Sequence, residues 1–291
     1  MRRALTAAAL LVPLATGAEA APASLTCPED AAMQALAASL LAKAPVEAFG
    51  RSLSLEDALC AQRKLVAAME KQLGPTVGWK VGLTNAAAQK RFGVDHPLAG
   101  PIYQATVRAH SGETLPADFA AVPVVEADLI VRVKDEGINQ AGDDHVAILK
   151  HLDQVVPFIE LPDLALSDLK QMDGPNLLAI GVGARLGVVG DPITPEATED
   201  FAKHLGSMSV RFATDQKELA TAPGTALLGH PLNVIPWLVK DLKARGTALK
   251  AGDLISLGGF SPALPAEAGR TYTVTYTGLL EKPVSVSVRL E

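Results

Sequence analysis

The sequence predicts an α+β protein in which a small helical lobe precedes a β-rich core. Three observations carry this. Residues 28–75 place apolar side chains at helical spacing between recognisable start and stop signals. From Val77 onward short runs rich in Val and Ile take over, the clearest spanning 122–133 and 155–163. The final stretches, 271–277 and 284–290, alternate Thr or Ser with Val or Tyr, the period-2 pattern of antiparallel strands.

Each element has its own justification. Met33, Leu36, Ala37, Leu40 and Leu41 predict a helix over 29–44, ended by Pro45. Ser54 is an N-cap with acids in the following turn, and Leu59, Val66, Ala67 and Leu73 carry a second helix to Gly74-Pro75. Residues 77–84 read as a strand with Lys80 in its middle; Gly78 and Gly82 leave room beside it for another backbone or a ligand. A lysine so placed is either a snorkelling surface residue or a buried charge with an acidic partner. A short helix over 85–92 and a turn at 93–97 follow. A polar loop at 135–144 leads through a short helix at 143–152 into the run that carries Glu160. The apolar stretch 177–189, punctuated by Gly181, Gly183 and Gly187, reads as a strand packed closely against a neighbour. Residues 210–214 form a strand, 215–217 a turn, and 232–245 a helix closed by Gly246.

Composition removes several function classes. Net charge is −6 and aromatics are 4%, against a phosphate-backbone binder or a stacking surface for single-stranded nucleic acid. No stretch reaches the roughly 20 apolar residues of a membrane span. Arg2-Arg3, the apolar run 4–14 and Ala18-Glu19-Ala20 form a secretory signal, so residues 1–20 are expected to be removed and the protein to be exported to a periplasm. The expected organisation is signal peptide 1–20, helical lobe 21–75 and β-rich core 76–291. In an exported chain the two cysteines, Cys27 and Cys60, allow one disulfide, tying the mature N-terminus to the second helix.

The chemistry gathers on the two Val/Ile-rich runs, which carry acid where a strand should be oily. Glu126 and Asp128 are two apart and share one face. Flanked on that face by Val124 and Ile130, they either look out to solvent or are buried around a shared cation, with Glu160 supplying a third carboxylate. Three carboxylates without a Cys or His pair suit a hard ion, Mg²⁺ or Mn²⁺. There is no P-loop and no dinucleotide fingerprint.

Taken in order, Gly78-Trp79-Lys80-Val81-Gly82-Leu83-Thr84, Gly93-Val94-Asp95-His96-Pro97, Glu126-Ala127-Asp128, Glu160, Gly229-His230-Pro231-Leu232 and Leu249-Lys250-Ala251-Gly252-Asp253 resemble the 2-keto-4-pentenoate hydratases. That family includes 4-oxalocrotonate decarboxylase and belongs to the fumarylacetoacetate hydrolase superfamily. The resemblance implies a mixed β-sandwich roll with a helical N-terminal lobe. It implies a Mg²⁺ or Mn²⁺ site at Glu126, Asp128 and Glu160, with Lys80, Asp95 and Asp163 as catalytic candidates and Leu83 and Ser261 as substrate-binding candidates. It further implies a small keto acid as partner and a homo-oligomeric state. The expected activity is that of a lyase, hydratase or decarboxylase, in which the metal stabilises an enolate.

The sequence departs from the family at its pocket. Asp128 stands where the family has Glu, a side chain shorter by roughly 1.5 Å. Leu161-Pro162-Asp163-Leu164 replaces a more polar segment, Ile180-Gly181-Val182-Gly183 lacks the family's polar groups, and Gly258-Gly259-Phe260-Ser261 keeps one hydroxyl. These losses, with the export signal, define two further expectations to set beside the lyase: a non-catalytic keto-acid or dicarboxylate binding protein on the same fold, and an acylpyruvate C–C hydrolase. The hydrolase would need a base for water. The six histidines read as surface or structural, His230 as a cap or packing residue at a helix start.

Overall fold

The computed structural model describes residues 27–50 and 52–291; the expected signal peptide and its cleavage point lie outside the described residues. Two helices come first, α1 (Asp30–Leu41) and α2 (Leu55–Leu73), the latter capped by the Ser54 hydroxyl on the Asp57 N–H. Then follow β1 (Thr76–Gly82), α3 (Ala86–Phe92), β2 (Leu98–Tyr103), β3 (Ala109–His110), β4 (Thr114–Leu115) and β5 (Val124–Val133). Next are α4 (His145–Lys150), β6 (Leu152–Leu161), α5 (Gly174–Ala179), β7 (Leu186–Val189) and α6 (Glu199–Ser207). The chain closes with β8 (Ser209–Thr214), β9 (Glu218–Pro223), α7 (Val234–Ala244), β10 (Leu254–Ser256), β11 (Leu264–Pro265), β12 (Arg270–Thr277) and β13 (Val284–Leu290).

The strands form two sheets. The larger runs β2-β1-β10-β5-β6-β7-β3, with β11 added to β5; the smaller runs β4-β13-β12-β8-β9. The larger sheet is mixed, since β1 is parallel to β10 but antiparallel to β2. Its edge strands β2 and β3 stand six strand spacings apart, roughly 29 Å on a flat sheet. Only residues 104–108 join them, and so short a link reaches about 22 Å at most. The sheet must therefore roll, bringing its edges toward each other and giving it an inner and an outer face.

The outer face is the main core. Val125, Ala127, Leu129 and Val131 of β5 pack with Ile159, Val188 and Ile255 against Phe212, Val274, Tyr276, Val286 and Val288 of the smaller sheet. The inner face carries a separate apolar cluster of Ile102, Ile130, Val156 and Phe158. The helical lobe has a third cluster, which it shares with β2 and α5 through Leu98, Tyr103, Leu177 and Leu178. A disulfide joins Cys27 to Cys60 of α2, with Cα atoms 5.6 Å apart.

One sequence expectation is corrected here. Residues 177–179 are helical, not extended: the Asp173 carboxylate caps the Asn176 N–H, a proline sits in the first turn, and α5 ends before Gly181, Val182 and Gly183, all at positive φ. Only Leu186–Val189 of that stretch is strand. The glycines mark a sharp turn after a helix.

Candidate active site

The site is built on the inner face of the roll. In β5 and β6, Glu126 stands directly opposite Glu160, and Asp128 opposite Phe158. Directly opposed residues of an antiparallel pair bring their Cβ atoms to about 5 Å, so all three acids share one face. Lys80 reaches the same face from β1, which pairs through Ser256 of β10 to Ile130 of β5. This close stacking of strands explains Gly78: a Cβ there would lie 2.0 Å from the Leu254 carbonyl oxygen. The room that the sequence suggested beside Lys80 is taken by the backbone of β10 at Gly78 and by the Val182 side chain at Gly82.

The charges are buried. The Lys80 ammonium lies 2.8 Å from Glu160 Oε1, with side chains 7% and 5% exposed, and Asp128 is wholly buried. Burial pulls the Lys80 pKa down, but Glu160, Glu126 and Asp128 together raise it above its ordinary value, so it stays an ammonium. Burial raises the Glu160 carboxyl well above the ordinary range against the pull of Lys80, and pushes Asp128 up to about 6. One ammonium does not balance three carboxylates.

Asp128 accepts three hydrogen bonds. Its Oδ1 accepts from the Leu129 N–H at 2.5 Å and the Gly258 N–H at 3.1 Å, and its Oδ2 accepts from the Ser256 hydroxyl at 2.5 Å. Gly258 presents that N–H from φ +105°, a conformation that favours glycine, where a Cβ would also strike the Thr84 hydroxyl at 2.4 Å. From the opposite side the Tyr276 hydroxyl donates to the Asp128 carbonyl. Glu126 is half-buried, and among the described residues its carboxylate has no hydrogen-bond or ion-pair partner. Glu160 Oε2 is buried and accepts from no group among the described residues.

The three expected metal carboxylates share a face but differ in their surroundings. Among the described residues no three Asp, Glu, His or Cys side chains stand ready as a coordination shell. The reason is local: Asp128 is turned into the strand by its three donors. A divalent ion still fits the remainder. With all three acids ionised, one ammonium leaves two negative charges, an excess that burial opposes by raising the Glu160 and Asp128 pKa values; among the described residues Glu160 Oε2 is a buried acceptor without a donor and the Glu126 carboxylate beside it has no partner. Mg²⁺ and similar hard ions are commonly held by one or two carboxylates, with water and substrate oxygens completing the shell.

The other expected site residues fall outside this cluster. Asp95 is in solvent, its side chain 98% exposed at the turn after α3. Asp163 is buried, and its carboxylate accepts from the Ala121, Val122 and Ala165 N–H groups at 2.8–3.2 Å, so it pins two loops. The Ser261 hydroxyl accepts from the Ala127 N–H at 3.1 Å, bracing the acid strand. Leu83 turns the chain at φ +59°, its carbonyl held by Gln89, its side chain against the helical lobe. His230 caps the turn at Leu232 and bonds the Ala202 carbonyl. Sequence reasoning missed Ser256 and Tyr276. The signal for Ser256 was a hydroxyl inside the apolar run Leu254-Ile255-Ser256-Leu257.

Fold and site define an α+β protein of the fumarylacetoacetate-hydrolase type with a buried acid–lysine cluster. The solved 4-oxalocrotonate decarboxylase of Pseudomonas putida G7, complexed with magnesium and adipate, superposes with a TM-score of 0.77 at 24% identity, over 92% of this chain and 100% of that one. The fumarylpyruvate hydrolase of Pseudomonas aeruginosa, solved with Mn²⁺ and pyruvate, gives 0.54 at 17% identity over 73% and 89%. No protein-family model matches the sequence. The 2-keto-4-pentenoate hydratase of Burkholderia vietnamiensis is 30% identical over 205 residues, 70% of this chain and 75% of its own length. The chain belongs to the 2-keto-4-pentenoate hydratase family.

Proposed function

We propose that the protein is a divalent-metal-dependent lyase of the hydratase type acting on a small 2-keto or 2-hydroxydienoate acid. The observation that carries the reading is the buried charge imbalance: three carboxylates face one ammonium, and Glu160 Oε2 lacks any donor. Glu126 and Glu160 would hold Mg²⁺ or Mn²⁺. The ion, when bound, would act as a Lewis acid toward the 2-keto carboxylate end of the substrate. Lys80, kept protonated at Nζ, would orient the substrate carboxylate or donate a proton; it is not poised as a base. Neighbouring inner-face residues are Ile130, Val156 and Phe158, and Lys80 is the one buried cation beside the acids among the described residues. That lining favours a substrate with a single carboxylate and a short apolar tail.

Export and self-association belong to the same proposal. The N-terminal signal pattern supports export, and the Cys27–Cys60 disulfide suits an oxidising compartment. No described helix is long and apolar enough to cross a membrane. Homo-oligomerisation, implied by the family resemblance, is checked by light scattering on the purified chain.

The test follows loss of ultraviolet absorbance from 2-hydroxypenta-2,4-dienoate with chain starting at Ala21, first with Mn²⁺ and then with EDTA. Turnover abolished by EDTA is the expected result. A folded, Mn²⁺-loaded protein that is thermally stabilised by keto acids but turns none over would replace the lyase with a binding protein.

A further inference from the structure

We infer that Val182 is a positioning residue for Lys80: held on the turn after α5, its side chain walls the lysine stem away from β2 and so directs the ammonium across β10 to Glu160. The inference rests on the reading above, in which Lys80 orients the substrate carboxylate or donates a proton, and deepens it.

The placement follows from the pleat of the strands. Lys80 and Gly82 are two apart on β1, and Gly100 of β2 stands directly opposite Lys80, so all three point to the inner face. Both glycines have the same neighbour. A Cβ at Gly82 would lie 2.8 Å from a Val182 methyl, and one at Gly100 would lie 3.1 Å from the Val182 Cβ and 2.2 Å from the Gly181 carbonyl oxygen. Opposed residues bring their Cβ positions to about 5 Å, so a group that touches both glycines lies beside the Lys80 stem. The isopropyl group closes the β2 side of that stem and the space further along β1. The side toward β10 stays open, and there the ammonium meets Glu160 Oε1 at 2.8 Å.

The backbone is strained to put the valine there. Val182 has φ +58°, between Gly181 at +77° and Gly183 at +69°. A β-branched residue is rarely found in this left-handed region, which glycine adopts freely. Such strain persists only where surrounding contacts over-determine it. Here the Val182 N–H donates to the Leu177 carbonyl and the Asp163 N–H to the Gly183 carbonyl, each at 2.9 Å. Asp163 is itself pinned by the three N–H groups on its carboxylate. Behind the turn, Gln62 of α2 donates to the carbonyls of Leu178 and Ala99, tying α5 and β2 to the helical lobe. Val182 is buried in the cluster of that lobe, so the lobe reaches the acid–lysine site at this residue. What valine supplies and glycine would not is volume beside Lys80. A lysine stem is flexible and has many rotamers to lose, and the wall removes those that lean toward β2.

The experiment reads the Lys80 amine directly. Mature chain starting at Ala21, in Mn²⁺, is treated briefly with acetic anhydride at one fixed pH, and acylation of Lys80 is measured by mass spectrometry relative to the exposed Lys217. Val182→Gly relieves the positive φ and removes the wall; the Lys80 ratio is expected to rise by about 10-fold or more, as a local opening would allow. Val182→Thr keeps the β-branched shape and should stay within about 3-fold of wild type. Hydrogen exchange at the Leu129 amide, in the outer core, should be the same in all three proteins. A Lys80 ratio in Val182→Gly equal to wild type would overturn the inference. A rise in Val182→Thr as large as in Val182→Gly would also overturn it, since shape would then not be what holds the stem. Loss of Leu129 protection in step with Lys80 acylation would reduce Val182 to a packing residue. Should Val182→Gly fail to fold, Val182→Ala carries the same comparison. The labelling needs no turnover, so a wild type that consumes no dienoate would remove the lyase reading and leave the placement of Lys80 by Val182 standing.

Discussion

The two faces of β5 are made from alternate residues of one strand and follow opposite rules. On the outer face Val125, Ala127, Leu129 and Val131 are fully buried in apolar contacts, and stability there scales with area removed from water. On the inner face Asp128 and Ile130 are also buried and Glu126 is half-buried, yet two of the three are acids whose burial is unfavourable. The first face holds the sheets together. The second is tolerated because Lys80, Ser256 and backbone N–H groups offset part of the charge, and it leaves a remainder that a cation would complete. Destabilisation on the inner face should therefore respond to metal, and on the outer face it should not.

Lys80→Met is expected to have the largest effect. Removing one member of a buried ion pair leaves the other uncompensated, at a cost of about 4 kcal/mol. Urea unfolding in EDTA should show the loss, and Mn²⁺ should recover part of it. Wild-type stability in EDTA would mean that Lys80 does not hold the acids. Leu129→Ala on the outer face should cost about 3 kcal/mol by leaving a cavity between the sheets. Mn²⁺ should stabilise this variant by the same increment as wild type, whereas a larger increment would show that the two faces are not independent.

The contrast was legible in the sequence in part. The period-2 alternation along 122–133 separates the faces without any structure, while the apolar flanks Val124 and Ile130 leave the acids between solvent and burial, and only the structure buries Asp128. The two-helix lobe and the last two strands were equally plain, because their signals are local. What stayed hidden depends on distant pairing. Ser256 meets Asp128 across 128 positions of sequence, through the antiparallel docking of β10 on β5. Without that pairing the donors that surround Asp128 cannot be read from the sequence. Asp163 and Asp95 lie apart from the cluster for a related reason: a motif position says which residue type occurs, not which N–H groups or how much solvent surround it. In residues 177–189 the spaced glycines outweighed Asp173 and Pro175, a helix start that was present but not weighed.

The smallest expected effect comes from Tyr276, which bonds the strands of the inner site from the outer core. Burial raises the Tyr276 pKa, so its hydroxyl stays protonated and donates to the Asp128 carbonyl while accepting from the Phe158 N–H at 3.2 Å. It reaches both residues from the outer core and so fixes the backbone from which Asp128 and Phe158 project inward. Tyr276→Phe removes no volume from the core but leaves a buried N–H and a buried carbonyl short of a partner, a loss of about 1–2 kcal/mol. Hydrogen exchange at the Phe158 amide should accelerate while amides at Ile159 and Leu129 keep their protection. Unchanged exchange at Phe158 would show that the strand pair holds its own geometry and that the two faces, though built from one strand, are not joined through this hydroxyl.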